Sequence, residues 1–180
     1  MFKYYNQKRR DQHIAHEIYG SIVAQARSPY FYTGCEVPDT VEGRFEMLVL
    51  HMTLIINRLK NTEKNGQEIG RLISEAFIDD LDDSFREMGI GDLAVPKRMK
   101  TASEAYFGRL HAYGDALDHE NLEELEQAID RNFSQSANPA SVNARTLAQY
   151  MMRTAKMLKE VNIEDLTAGR LSFSPLPDNE

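Results

Sequence analysis

The stretch that most constrains this chain is FIDDLDDSFREMGIGDLAVPKRMK, residues 77–100. Its first half repeats apolar residues at three- and four-residue spacing with aspartates between them, the pattern of an amphipathic helix and not of a strand. Gly89-Ile90-Gly91-Asp92 then breaks the periodicity. Pro96 suits the first turn of a second helix, where its missing N–H removes no hydrogen bond. That helix opens on Lys97, Arg98 and Lys100. An acidic helix and a basic helix start must therefore meet across a short turn.

The stripe of the acidic helix reads Ile69, Leu72, Ile73, Ala76, Phe77, Leu81, Phe85, Met88. At 100° per residue these share one broad face. Asp79, Asp82, Asp83 and Arg86 fall off it and are expected to be solvated or partner-facing. Asp80 projects within it. A buried carboxylate needs a cation or several donors, so the sequence predicts a structural ion pair between Asp80 and a cation of the next helix, with Lys97 and Arg109 the leading partners beside Arg98 and Lys100; the alternative is that Asp80 sits at the stripe edge and reaches water.

The rest of the chain repeats the helical period. Ile14, Ile18 and Ile22, with Tyr19 and Val23, mark a helix over 8–27 that Ser28-Pro29 ends. Tyr30, Phe31 and Tyr32 follow as an aromatic connector that either folds onto the core or meets a partner. Asp39 or Thr40 caps the next helix, whose stripe is Phe45, Leu48, Met52, Ile55, Ile56, Leu59. Val49 and Leu50 widen that stripe, so this helix is expected to be central, with His51 a core histidine. After Pro96 the stripe is Met99, Ala102, Tyr106, Leu110, Tyr113, Leu117. Leu122, Leu125, Ala128, Ile129 and Phe133 mark another helix, 134–139 a loop, and 141–161 the last long helix. No segment alternates like a strand. The prediction is an all-α, compact, bundle-like array of about six to seven helices. Residues 1–7 are expected to be a tail, 8–169 one helical domain, and 170–180 a flexible tail.

Composition bounds the function. The net charge of -7 and pI near 5.3 argue against binding nucleic acid by wholesale phosphate neutralisation. No apolar run approaches the ~20 residues that span a bilayer, and the charged N-terminus lacks the apolar region of a secretory signal. Cys35 is the single cysteine, so no internal disulfide forms, as in a reducing compartment. His13 and His16 lie three residues apart on a helix without the HExxH order of zinc proteases and read as a solvated pair. The aspartate run lacks the spaced oxygens of a calcium loop. No catalytic constellation, metal site or cofactor site emerges. Met151, Met152 and Met157 cluster on the last helix, and methionine suits adaptable apolar contacts.

Three stretches carry a resemblance: DTVEGRFEMLVLH at 39–51, EAFIDDLDDSFREMGIGDLAVPK at 75–97 with Met99 and Lys100, and EAYFGR at 104–109 with Tyr113. In these the chain resembles the ubiquinol–cytochrome c chaperone family, over roughly residues 9–158. The resemblance implies a non-enzymatic assembly factor of the cytochrome bc complex that binds nascent or newly inserted cytochrome b. A small co-chaperone and the ribosome are further partners that it implies. The absence of a mitochondrial presequence points to a bacterial member, cytoplasmic, with peripheral association at the inner membrane. On this reading Tyr30, Phe31, Tyr32, Met151, Met152 and Met157 supply apolar contact with the partner. Asp79, Asp82, Asp83 and Arg86 supply a charged face. The alternative is a haem- or small-molecule-binding helical protein or oxygenase using His13, His16 or His51.

Overall fold

The computed structural model describes residues 2–136 and 142–176, with side chains described for 7–135 and 142–176. The chain is all-α. Its helices are α1 Phe2–Ala26, α2 Pro29–Thr33, α3 Val41–Leu59, α4 Lys64–Glu87, α5 Val95–Asp118, α6 Leu122–Ser136, α7 Ala144–Glu160 and α8 Ile163–Leu166. Six are long; α2 and α8 are single turns. Residues 137–141 of the expected loop and last-helix start lie outside the described residues.

α3 is the axis of the bundle. It packs against α1, α4, α5, α6 and α7, and Val49, Leu50, His51, Met52, Thr53, Leu54 and Ile55 are buried in unbroken succession. A helix surrounded on every side needs apolar residues all round rather than a stripe. Thr40 caps it: the Gly43 N–H donates to Thr40 Oγ1 at 3.1 Å. The chain at Pro38 folds so closely over this first turn that a Cβ on Gly43 would lie 2.0 Å from the Pro38 carbonyl oxygen. Gly43→Ala is therefore expected to lower stability by about 2–3 kcal/mol, because backbone must shift to admit one methyl. Chemical denaturation checks this, and a variant within 0.5 kcal/mol (about the usual surface effect) would overturn it.

Glu46 meets Arg109 and Asn57 meets Asp118. The contacts run in the same order along both helices, so α3 and α5 are parallel and α4 is the return between them. Lys60 also reaches Asp118, at 2.5 Å.

Several boundaries differ from expectation. α1 begins at Phe2, so residues 2–7 of the expected tail are helical. Three aromatics do not form a loop: Pro29 at the first helical position winds Tyr30, Phe31 and Tyr32 into α2. Within the segment expected as a flexible tail, Leu171, Phe173 and Leu176 pack against the core, and residues 177–180 lie outside the described residues. The α4 stripe is buried only as far as Phe77. Beyond it Leu81 and Phe85 are half-buried and Met88 is exposed. Periodicity gives the apolar face of a helix; how far a neighbour covers that face is a matter of packing.

Candidate functional site

The end of α4, the turn and the start of α5 form a hairpin arm. Met88 ends α4, and Gly89, at φ +76°, takes the left-handed conformation that L-side chains avoid. The Ile90 N–H returns to the Phe85 carbonyl at 3.2 Å and the Gly89 N–H to Arg86 at 3.0 Å. This pair of bonds is a Schellman motif, which satisfies carbonyls that a helix end otherwise leaves open. Arg86 locks the turn from the side. Its Nε donates to Asp82 at 2.7 Å and its Nη1 to Asp92 at 2.9 Å.

The arm exposes large apolar side chains. Leu93 is 100% exposed, Met88 48% and, further along α5, Phe107 56%. Asp79 and Asp83 are exposed on the flank of α4, and Lys97, Arg98 and Lys100 on the start of α5. Lys100 lies 3.8 Å from Glu104. The arm thus carries exposed apolar groups between an acidic flank and a basic one. Sequence periodicity assigned Met88 to a buried stripe and passed over Leu93 and Phe107. Leu93 sits in the turn and Phe107 off the α5 stripe, so both were visible as apolar residues without a periodic partner.

The other sequence-derived site residues are dispersed. Phe31 and Met151 have no exposed surface and belong to the core, which corrects their assignment as partner contacts. Tyr30 and Tyr32 are half-buried, and the Tyr32 hydroxyl donates to the Ala26 carbonyl at 3.0 Å. Met152 and Met157 are half-buried on α7.

The expected Asp80 ion pair is replaced by a different arrangement. Asp80 is exposed, and its carboxylate accepts a 2.7 Å bond from the Tyr19 hydroxyl. Burial, then the adjoining carboxylate, raises the Tyr19 pKa above the ordinary phenol range. Lys97 is exposed. Arg109 pairs with Glu46: Nε donates to Oε2 at 2.6 Å and Nη2 to Oε1 at 2.5 Å. Their side chains are 10% and 0% exposed, and the Phe45 ring lies 5.7 Å from the guanidinium carbon. Beside this pair, Asn132 donates to the Tyr113 hydroxyl at 3.0 Å.

His51 is sealed in the core. Its Nδ1 stands 2.8 Å from the Met47 carbonyl, which only accepts, so Nδ1 carries the proton. Nε2 then accepts from the Tyr150 hydroxyl at 3.0 Å, and that oxygen accepts from Gln25 at 3.1 Å. Burial pulls the His51 pKa down to about 4 and pushes Tyr150 up to about 12. Both ring nitrogens of His51 are engaged, while His13 and His16 are exposed on α1. The histidines of the haem-binding alternative are not brought together. Among the described residues no cluster of His, Cys, Asp and Glu has metal-binding geometry, and no helix is long and apolar enough to cross a membrane.

The family model described as ubiquinol-cytochrome C chaperone matches residues 33–173. Ubiquinol-cytochrome c reductase complex assembly factor 1 of Homo sapiens is 24% identical over 163 residues, covering 88% of this chain and 53% of its own. The Xenopus laevis protein of the corresponding name is 22% identical over 151 residues, covering 83% and 75%. This chain thus spans about half the length of the human relative. A crystal structure of the Cbp3 homolog from Brucella abortus superposes with a TM-score of 0.84 at 36% identity, covering 96% of this chain and 94% of that one.

Proposed function

The chain belongs to the ubiquinol-cytochrome c chaperone family, and from that premise we propose that it is a non-enzymatic assembly factor that binds newly made cytochrome b of the cytochrome bc complex. The observation that carries the reading is the family match over residues 33–173 together with the arm, whose apolar tip the fold leaves unpacked. A binder of membrane helices awaiting assembly must present apolar surface and remain soluble itself. The arm meets both demands: Met88 and Leu93 offer apolar contact, with Phe107 further along α5, and the charges on α4 and α5 keep the surrounding surface hydrated. Asp79 and Asp83 suit basic loops that flank a client's helices, and Lys97 and Arg98 suit acidic ones. A peripheral place at the inner membrane, and a small co-chaperone, are compatible partners of this role.

Copurification of cytochrome b with the tagged chain tests the proposal. The double substitution Met88→Ser/Leu93→Ser removes apolar contact from two exposed positions and is expected to reduce client recovery by about tenfold, a loss of roughly 1.4 kcal/mol. Its thermal midpoint is expected to stay within a few degrees of the parent. Unchanged recovery of cytochrome b by the folded variant would remove the arm from the reading. Absence of cytochrome b from the parent complex would remove the client.

A further inference from the structure

The segment after α8 covers part of the core without hydrogen bonds to the described residues beyond those of Arg170. Gly169, at φ +81°, reverses the chain after α8. Arg170 is anchored: its N–H donates to the Asp165 carbonyl at 2.9 Å, and its Nε to the Asp165 carboxylate at 3.0 Å. From Leu171 to Leu176 the chain is non-helical, and no hydrogen bond or ion pair ties it to the described residues. Leu171, Phe173 and Leu176 hold it by packing alone, while Ser172 and Pro175 between them are exposed. Backbone without hydrogen bonds, held by a few apolar contacts, lies at the low-stability end of a fold.

What lies beneath is unusually well fixed. The Phe173 ring stands edge-on to His51, with centroids 5.4 Å apart and planes at 78°. His51, Phe31 and Tyr150 form an aromatic floor with centroids 5.1 to 5.5 Å apart. The hydrogen-bonded chain from Gln25 through Tyr150 and His51 to Met47 holds that floor independently of the strap. Departure of residues 171–176 would leave a preorganised apolar slot rather than a collapsed one.

We propose that residues 171–176 are a removable placeholder on this slot, and that the occupant they stand in for is an extended apolar client segment with an aromatic residue at the His51 position. This rests on the chaperone reading above. The seated strap defines the chemistry of the occupant. In an extended chain, positions two apart share a face, so Leu171 and Phe173 reach the core together while Ser172 faces out. The strap supplies no backbone hydrogen bonds, so the slot selects by side chains. A tethered occupant competes at an effective concentration in the millimolar range. It therefore keeps the apolar slot covered in the absence of client and yields to a client that binds more tightly.

The test uses the full chain. A fluorescent peptide of sequence RLSFSPLP, taken from the strap itself, is titrated against the parent and against Leu171→Ser/Phe173→Ser. The parent is expected to bind it at least about tenfold more weakly than the variant, because its own strap competes. A peptide with serine in place of the phenylalanine is expected not to bind either protein. Phe173→Leu, a milder change, is expected to give an intermediate affinity and keeps the test available should the double variant unfold. Equal affinity for parent and variants, or no binding by a folded variant, would overturn the placeholder. Displacement of the peptide by an aromatic-containing apolar segment of cytochrome b supports the assignment of the occupant. Failure to displace it while cytochrome b still copurifies overturns that assignment and leaves the chaperone reading standing.

Discussion

Arg109→Ala is expected to destabilise the fold by about 3–5 kcal/mol, the range for removing one partner of a buried ion pair. The cost comes less from the lost attraction than from the carboxylate left behind. Glu46 has no exposed surface, and both its oxygens are engaged by the Arg109 guanidinium at 2.5 and 2.6 Å. The pair ties α3 to α5, the two parallel helices at the centre of the bundle. It also lies against Phe45, so truncating Arg109 opens a gap beside an aromatic ring. Replacing both partners, Glu46→Met with Arg109→Met, removes the unpaired charge and is expected to recover most of the loss. Urea denaturation of the two single variants and the double variant reads this directly. A double variant as unstable as the sum of the singles would mean that the polar groups contribute through other contacts than each other.

Acidification is expected to weaken the fold through His51, by on the order of 3 kcal/mol between neutral pH and pH 4. The folded imidazole has a pKa of about 4, below the ordinary 6.5, because burial disfavours its charged form. The unfolded chain therefore binds a proton in a window where the folded chain does not. Stability is full above about pH 6.5, falls by about 1.4 kcal/mol per unit as pH drops through the window, and levels off below the folded pKa. The bond from Nδ1 to the Met47 carbonyl favours the charged ring and opposes this shift, but burial outweighs it. The Tyr150 bond acts with burial. Protonated Nε2 can no longer accept from Tyr150, so the buried Tyr150 hydroxyl loses the acceptor of its own proton. His51→Leu is expected to flatten the stability profile between pH 6.5 and 4 (about the window set by the two pKa values) while lowering stability at pH 7 through the loss of two hydrogen bonds. Parallel profiles for parent and variant would show that the window belongs to other groups.

The helices were legible because each announces itself locally. Pro96 and the glycines of the 89–92 turn fix where α4 stops and α5 starts, and the structure closes that turn with Gly89 in the left-handed conformation. Thr40 was one of two candidate caps, and its side chain accepts the Gly43 N–H. The all-round apolar run of α3 predicted a central helix, and seven consecutive buried residues bear that out. His51 was legible as a core residue from its neighbours alone.

The charged residues divide differently. Asp80 and Glu46 both fall among apolar residues on a helix, and the same argument applies to each. The structure exposes Asp80 and buries Glu46 completely. The difference lies outside both helices: α4 loses its cover after Phe77, whereas α3 is enclosed by five other helices. Arg109 follows the buried carboxylate, because desolvating a charge is tolerable only beside its opposite.

The candidate site divides along the same line. Of the aromatic and methionine residues expected at a partner surface, Phe31 and Met151 pack in the core. The exposed apolar tip is built instead by Met88 and Leu93, within the stretch that also carried the family resemblance. By itself the sequence determined the class of fold, the position of the α4–α5 turn, the central helix and the family, because hydrophobic period, caps, turn residues and motif order are properties of short spans of chain. The tertiary structure alone decided which apolar and charged side chains are covered, because burial depends on the neighbour that packs against a face and not on the face itself.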